Sequence, residues 1–482
     1  MSDRTFDEID ATTSLRRDPV MRRAVLACTI GQVFENYDFV LYGFMAAALS
    51  RAFFPSGDQV AGLLSTFATF GVGFLMRPVG AFVIGRFGDK YGRRRALVLT
   101  IVMMALATGI IGLIPTYAAI GVLAPVALVI CRLFQGFAAG GEWGGAAVFL
   151  VEYSPQNQRG YISSYQQVGT GLGLLLATLF AALLTRFLDA SAFQSWGWRI
   201  PFLIGFILGP IGHYLRTRVA ETPIFTRHVQ ARNVSANPIR EAFATQRRGL
   251  AVIFGISIIS VCLYWVFLVF LPTFAARQLH MDPSSTFFST TLAGVIYVVA
   301  TPFMGALSDR IGRKPFLYAA AIGSIVLPYP LFVLLVSWKS VLGLVLTQAI
   351  ATVILTFCTG VACAVLSEEF PTRVRYTALS VSYGLSVAIF GGFAPFIGTA
   401  LISATGNPIA PSYYVIFGGV LGLIAVWFVR EGARLQFRAE AYNLFNRVNL
   451  IGFDTTLNSG TFGFATSTFT PRSLQLAGRI EF

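Results

Sequence analysis

Charge is scarce in this chain. Of its 482 residues only 12% are Asp, Glu, Lys or Arg, where a soluble domain carries about 25%, so a water-facing globule is excluded. Histidine is scarcer still: His213, His228 and His280 are the only three, and none has a partner at a metal-binding spacing. The five cysteines, Cys28, Cys131, Cys262, Cys358 and Cys363, match no metal site and all fall in apolar runs, where a thiol behaves as a small apolar group. There is no phosphate-binding loop of the Gly-x-x-x-x-Gly-Lys-Ser/Thr kind, so ATP-driven work lacks its engine. No metal, no cofactor and no enzymatic reaction are expected. The first 23 residues are polar and charged without a short apolar core, which reads as a cytoplasmic segment and not as a cleavable signal.

What fills the chain is hydrophobicity, at 55% of residues and a mean hydropathy of +0.69. About 20 apolar residues cross the ~30 Å of a bilayer core, and about twelve such runs can be read. They are 24–50, 60–84, 96–114, 120–150, 161–186, 199–216, 249–274, 285–307, 315–337, 341–366, 376–403 and 413–430. The formal charge of +14 is placed unevenly. With the N-terminus inside, roughly twenty Lys and Arg fall in cytoplasmic segments and about five outside. The excess of base is therefore a topology signal that puts both termini in the cytoplasm, and nucleic-acid binding is not expected.

Two phrases occur twice. Gly85-x-x-x-Asp89-Lys90-x-Gly92-Arg93-Arg94 returns as Gly305-x-x-x-Asp309-Arg310-x-Gly312-Arg313-Lys314, at an offset of 220 residues. Glu152-x-x-Pro155-x-x-x-Arg159 returns as Glu368-x-x-Pro371-x-x-x-Arg375, at an offset of 216. Two repeats at nearly one spacing mean a duplicated half, the mark of a secondary transporter in an apolar chain. The expected fold is an all-α membrane protein with twelve transmembrane helices in two six-helix bundles. The divisions are an N-terminal segment (1–23), a first bundle (24–216), a polar linker (217–248), a second bundle (249–430) and a tail (431–482). The tail changes character: Leu435, Phe437, Ala439 and Ala441 alternate with polar neighbours, as do Leu474, Leu476, Gly478, Ile480 and Phe482. Period-two alternation reads as strand, with room for two or three strands and too little chain for a closed barrel.

Several further phrases carry a resemblance. They include Arg132-x-x-Gln135-Gly136-x-x-x-Gly140, Glu35-Asn36-Tyr37-Asp38-Phe39, Arg77-Pro78-x-Gly80, Gly140-Gly141-Glu142-Trp143-Gly144-Gly145 and Trp196-Gly197-Trp198-Arg199. Residues 1–430 resemble the major facilitator superfamily and, within it, the metabolite:proton symporter family. One departure is Asn36, where that family usually has Trp. The tail, through FRAEAYNLFNRVN (437–449) and the closing LAGRIEF, resembles the end of a TonB-dependent outer-membrane receptor. Twelve long apolar runs exclude such a receptor for the chain as a whole, and the tail reads either as a fusion accident or as an accessory hairpin. The resemblance implies a bacterial inner-membrane importer of a small molecule together with protons, working as a monomer within the lipid bilayer. Its substrate would be an organic acid such as 2-oxoglutarate, citrate or shikimate, or alternatively a zwitterionic osmolyte such as proline or betaine.

A charge inside a span costs about 2.5–3.5 kcal/mol even on insertion scales, so each one is a functional candidate. Glu35, Asp38, Arg132 and Glu142 are such charges in the first half, while the second-half spans hold none before Glu368. Proton chemistry is therefore expected in the first half. Asp38 and Arg132 both fall near midplane at 1.5 Å per residue, and a pair between them is expected, either a proton switch or a permanent packing bond. Glu35, one turn before Asp38, is a second proton site, an ammonium partner or a packing carboxyl. Candidate substrate contacts are Arg132, Tyr42, Gln135, Gln166, Tyr264, Tyr297, Gln348 and Tyr383. Candidate gating residues are the two loop motifs (Gly85, Asp89, Lys90, Gly92, Arg93, Arg94 and Gly305, Asp309, Arg310, Gly312, Arg313) with Glu142, Glu152, Arg159, Glu368 and Arg375. Arg77, before a proline near a span end, reads as structural.

Overall fold

In the computed structural model the described residues are 19–429, apart from 56–57, 92, 153, 218–237 and 371–373. In the tail they are 434–442, 450–457, 460–461, 464–468 and 473–481. Each of the twelve expected runs has a helical counterpart. They are α1 (Pro19–Phe44), α2 (Gln59–Ile84), α3 (Arg93–Leu113), α4 (Leu123–Val151), α5 (Gln156–Phe187) and α6 (Arg199–Thr217) in the first half. The second half has α7 (Arg247–Gln278), α8 (Pro283–Ile311), α9 (Lys314–Val326 with Pro328–Trp338), α10 (Val341–Glu368), α11 (Arg375–Thr405) and α12 (Pro411–Trp427). Seven are long and apolar enough to cross a membrane, and the α9 pair, bent by 46°, makes an eighth. The helix α1 also carries Arg22, Arg23, Glu35 and Asp38, charges that dilute its apolar character.

The duplication in sequence is a duplication in packing. Within the first half α1 lies on α5, α2 on α4 and α3 on α6; within the second, α7 lies on α11, α8 on α10 and α9 on α12. The halves meet through α5 with α8 and α2 with α11, each contact being the other advanced by six helices. The solvent-facing logic of a soluble core is inverted. Val299, Phe303, Ile424 and Trp427 face outward, while Gln135, Gln166 and Gln348 are fully enclosed, as hydrocarbon surroundings demand.

Glycine makes the α2–α4 contact possible. A Cβ on Gly136 would stand 1.7 Å from the Gly73 carbonyl oxygen, and one on Gly140 would stand 2.0 Å from that of Arg77. Small residues four apart let two backbones touch without a side chain between them, so the Gly136-x-x-x-Gly140 phrase fixes how close Arg77 and Arg132 come. At the start of α8, Asp282 caps the helix by accepting from Ser285 N–H at 3.1 Å. The Ser284 hydroxyl beside it holds that carboxyl below the usual carboxylate range.

The expected linker lies largely outside the described residues; within it, Pro238–Thr245 is helical. Contacts divide the chain into two units, one ending at Val429 and one beginning at Arg430. Among its described residues the second unit has four strands where two or three were expected: β1 (Arg434–Tyr442), β2 (Leu450–Phe453), β3 (Ala465–Thr468) and β4 (Ser473–Glu481). β1 pairs antiparallel with β4, so that Leu435 faces Ile480, Ala439 faces Leu476 and Ala441 faces Leu474. β2 pairs with β3. The register sets the alternating positions of β1 opposite those of β4, and the short strands β2 and β3 lie between them in the chain. Two-stranded pieces are marginal alone and present open edges. Truncation after Arg434 is therefore expected to leave initial uptake within about twofold at equal membrane abundance and to sharpen the size-exclusion profile; a large loss of uptake would give the tail a role in transport.

Candidate functional site

The two halves enclose a cavity of about 60 Å3. Its floor in the first half is α1, α2, α4 and α5, and its roof is α7, α8, α10 and α11. The charge at its edge is a salt bridge: Arg77 Nη2 stands 2.9 Å from Glu35 Oε1, both side chains buried. Arg77 was read from sequence as a structural residue near a span end. The helical path continues from Arg77 to Tyr91, and the guanidinium is buried against Glu35 at the cavity edge. Asn36, the departure noted above, crosses between the halves. Its Nδ2 donates to the Thr170 carbonyl at 2.7 Å and to the Tyr264 hydroxyl at 2.6 Å.

Aromatic pairs that also cross between the halves close the cavity at both ends. On the side of the loop motifs Trp143 stacks on Tyr383, with centroids 3.6 Å apart and planes 10° from parallel. On the other side Trp265 meets Phe70 and Phe74, at 5.4 and 5.2 Å, and Phe44 meets Phe287. Tyr264 and Trp265 reach the cavity from a π-helical stretch of α7, Tyr264–Phe270, a local widening common at functional sites.

Of the expected substrate contacts, Tyr264, Tyr297 and Tyr383 line this cavity. Gln348 does not. Its Nε2 donates to the Phe267 carbonyl at 2.9 Å, satisfying a backbone oxygen of the π-helical stretch, and its Oε1 accepts from Ser289 at 2.6 Å. Its polarity serves α7 and not the cavity. Gln166 is spent on the Trp143 carbonyl and on the Cys363 thiol, which donates to Gln166 Oε1 at 2.6 Å across the two halves. Its neighbour Gln167 does line the cavity and accepts from the Tyr297 hydroxyl at 3.0 Å.

Arg132 and Asp38 do not form the direct ion pair expected of them. Asp38 Oδ2 accepts from the Thr108 hydroxyl at 2.5 Å. That hydroxyl oxygen accepts from Gln135 Nε2 at 2.7 Å, and Gln135 Oε1 accepts from Arg132 Nη1 at 2.7 Å. Two neutral side chains thus stand between cation and anion. Axial depth, which the sequence supplies, brought both residues to one level; their rotation about the helix axes put Thr108 and Gln135 between them. Arg132 Nε and Nη2 have no hydrogen-bond partner, and the guanidinium instead lies over the rings of Tyr42, Phe39 and Phe70 at 4.4, 4.9 and 5.0 Å. It is sealed from the cavity, and so are Tyr42 and Gln135, which the sequence placed among the substrate contacts. Phe39 separates the two cations, with Arg77 over the same ring at 4.5 Å.

The loop motifs meet the opposite half. Asp309 accepts from the backbone N–H groups of Gly160 and Tyr161 at 2.8 and 2.9 Å, an anion on the first turn of a helix in the other bundle. Arg313 is held 2.7 Å from Asp309, and Glu368 lies 3.6 and 3.7 Å from Arg313 and Arg159. Gly305 serves contact here, since a Cβ on it would stand 2.6 Å from the Gly160 carbonyl oxygen. Gly312 serves the turn, at φ +97°. Arg310 is exposed, and Arg375 Nε donates to the Phe370 carbonyl at 3.0 Å. Tyr376 crosses between the halves instead, donating to the Gly141 carbonyl at 2.6 Å. Gly92 and the side chains of Asp89, Lys90, Arg93, Arg94 and Glu152, with the neighbourhood of Gly85, lie outside the described residues. Glu142 sits at the break in α4, buried, and accepts from the Thr100 hydroxyl at 3.3 Å.

Residues 24–442 match the family described as "Sugar (and other) transporter". The chain belongs to that family. Residues 425–475 match a second family, described as an outer membrane beta barrel domain. Among curated relatives, the proline/betaine transporter of Escherichia coli K12 is 36% identical over 428 residues, covering 86% of this chain and 85% of that one. The citrate-proton symporter of Klebsiella pneumoniae is 36% identical over 420 residues, covering 86% and 93%. The shikimate transporter of E. coli K12 is 34% identical over 430 residues, covering 88% and 97%. Among solved structures, the E. coli xylose transporter XylE in a partially occluded inward-open conformation superposes with a TM-score of 0.65 at 18% identity. That superposition covers 85% of this chain and 97% of the other. The fold is that of the major facilitator superfamily, and the chain is a multi-pass membrane transporter.

For a transporter of this family the Asp309 cap binds one half to the other. Each charge-assisted bond is worth about 1.5–3 kcal/mol, so Asp309→Ala is expected to raise the opened population on that side by about tenfold or more. Cys363, buried against Gln166, reports it. Its alkylation by N-ethylmaleimide, followed by peptide mass spectrometry, should accelerate correspondingly; an unchanged rate would remove Asp309 from the gate.

Proposed function

We propose that this transporter is a proton-coupled symporter of a small zwitterion with one carboxylate, of the betaine or imino-acid kind. The observation that carries this reading is the charge of the cavity wall. Its described lining holds one cation, Arg77, and one anion, Glu35, already paired, framed by Trp143, Tyr264, Trp265, Tyr297 and Tyr383. A substrate carboxylate entering here takes Arg77, whose fork suits a planar anion. The positive end then meets Glu35 and the aromatic faces, which attract quaternary and secondary ammonium groups. A tricarboxylate would bring more negative charge than this wall can balance. Names of relatives support the reading, among them the proline/betaine transporter and a glycine betaine/proline/ectoine/pipecolic acid transporter at 36% identity.

A second reading, import of a small organic acid, is favoured by the shikimate transporter at 34% identity and by the single cation Arg77 facing the cavity. It is narrowed to acids with one carboxylate. In both readings Asp38 carries the proton, Arg132 is the cation it controls, and the salt-bridged Glu35–Arg77 pair holds the substrate. The motif-bearing side is cytoplasmic, by the distribution of Lys and Arg, and the membrane is the bacterial inner one. One chain encloses the whole cavity, so a monomer is a complete carrier.

In proteoliposomes with an imposed pH gradient, labelled glycine betaine or proline is expected to accumulate and citrate not to. Arg77→Gln, which leaves Glu35 without its partner, should reduce binding of the accumulated solute by at least about a hundredfold, since breaking a buried pair costs about 3–5 kcal/mol. Accumulation of citrate alone, or full binding by Arg77→Gln, would refute the assignment.

Proton coupling is tested separately. A protonophore should abolish accumulation, and Asp38→Asn should lose concentrative uptake while counterflow exchange continues. Sodium-driven accumulation indifferent to the protonophore would sink Asp38 as the proton carrier.

A further inference from the structure

The four-residue chain Asp38–Thr108–Gln135–Arg132 has a feature that follows from counting hydrogens. The Thr108 hydroxyl has one hydrogen and two acceptor positions, yet it lies within bonding distance of three groups. These are Asp38 Oδ2 at 2.5 Å, the Met104 carbonyl at 2.9 Å and Gln135 Nε2 at 2.7 Å. Gln135 Nε2 is a donor, so one acceptor position of Thr108 is taken in every state. The remaining hydrogen can go to Asp38 or to Met104, never to both.

We propose that Thr108 is the positioning residue that reads the protonation state of Asp38 and, through Gln135, sets the hold on Arg132. With Asp38 ionised, donors point one way along the chain, from Arg132 to Gln135 to Thr108 to the carboxylate, and the buried cation is linked to a buried anion. When Asp38 takes up a proton, its O–H becomes the donor to Thr108 Oγ1. The Thr108 hydrogen then turns to the Met104 carbonyl one turn back. No hydrogen bond is lost and no proton leaves Thr108, but the chain now ends on a neutral acid. Arg132, with Nε and Nη2 already unpartnered, is left as a fully enclosed cation with nothing opposite it. Such a state is costly, and it is relieved when the helices move to give Arg132 another anion.

The geometry permits the rotor and little else. The Thr108 methyl packs toward Gly205, where a Cβ would come within 2.8 Å of Thr108 Cγ2, so the side chain keeps its rotamer while the hydroxyl hydrogen turns. Behind Asp38 a second cavity of about 20 Å3 is shared with Glu35 and Glu142, enough for one water-sized proton carrier. The titratable or charged groups facing Asp38 are Glu35 and Tyr37 on its own helix, with Arg132 and Glu142 on α4. The walls from α3 and α6 are Ile101, Met104, Ala105, Gly205 and Gly209, and bring no charge.

This inference rests on Asp38 as the proton carrier, and the experiment separates the two. The ratio of concentrative uptake to counterflow exchange is measured against pH for the wild type, Asp38→Asn, Thr108→Val and Thr108→Ser at equal membrane abundance. Thr108→Val, the same shape without a hydroxyl, is expected to lower the ratio at least about tenfold and to move the pH midpoint alkaline by about one unit, because the ionised carboxylate loses its donor. Thr108→Ser, which restores the hydroxyl, should return both values to within about twofold. A wild-type ratio and midpoint in Thr108→Val, with Asp38→Asn uncoupled, overturns the relay alone. Equal impairment in Thr108→Ser shows that Thr108 only packs, and also overturns it. Normal accumulation by Asp38→Asn overturns the proton assignment beneath both. If Thr108→Val does not reach the membrane, Gln135→Met cuts the same chain one link on and decides by the same ratio.

Discussion

An ionised group in the middle of a bilayer has no water to fall back on, and this transporter places at least four of them in one half of itself. Glu35 and Arg77 answer each other directly; Asp38 and Arg132 answer each other through a threonine and a glutamine. Everything else about the first bundle follows from keeping those answers in reach. Spans α2 and α4 must touch backbone to backbone, which is why Gly136 and Gly140 have no side chain. Rings of Phe39, Tyr42 and Phe70 must surround Arg132, since it has too few acceptors and an aromatic face is the remaining partner for a cation. Among the described residues the second half brings no charge to the cavity wall and supplies aromatic and hydroxyl surface instead.

Gating uses the opposite economy. At one point of the seam between α5 and α8 Gly160 and Gly305 are in contact, so that the carboxylate of Asp309 reaches the N–H groups of Gly160 and Tyr161 at the start of α5. A helix start offers several such donors, and all are released together when the halves part. This contact between the halves thus consists of a few short, charge-assisted bonds. A second bond between the halves joins α10 to α5, from the Cys363 thiol to Gln166 Oε1.

The fold was legible because its two signals are global. Hydropathy marks spans whatever their partners, and a duplicated phrase marks duplicated packing, as α1 on α5 and α7 on α11 bear out. The cost of burial likewise pointed to Glu35, Asp38, Arg132 and Glu142 as residues the fold must accommodate. Pairing was another matter. Depth along a helix can be counted, but the angle around it cannot without the neighbouring helices, and Asp38 and Arg132 proved to be at one level with two residues between them. Arg77 lies near the end of its span, where a cation usually reads as topology, and nothing in its spacing announces that its guanidinium turns inward to Glu35. Gln348 misled for a different reason. An amide in an apolar span suggests a ligand, yet here it satisfies a carbonyl freed by the widened turn of α7, a defect that no periodicity of Tyr264–Phe270 announces. Asn36 carried a visible signal, being polar where Trp is usual, and it proved to be a bond between the halves.

The neutral balance of the cavity wall also has an electrical meaning. With Glu35 and Arg77 cancelling, the current carried per cycle depends only on what rides in and what returns empty. A zwitterion entering with one proton moves one positive charge inward, so the membrane voltage joins the pH difference as a driving force, at about 2.3 kcal/mol for every 100 mV. A monocarboxylate entering with one proton moves none, and such a cycle is blind to voltage. The two substrate classes proposed above thus imply two kinds of symporter, one voltage-assisted and the other electroneutral, built from the same four buried charges.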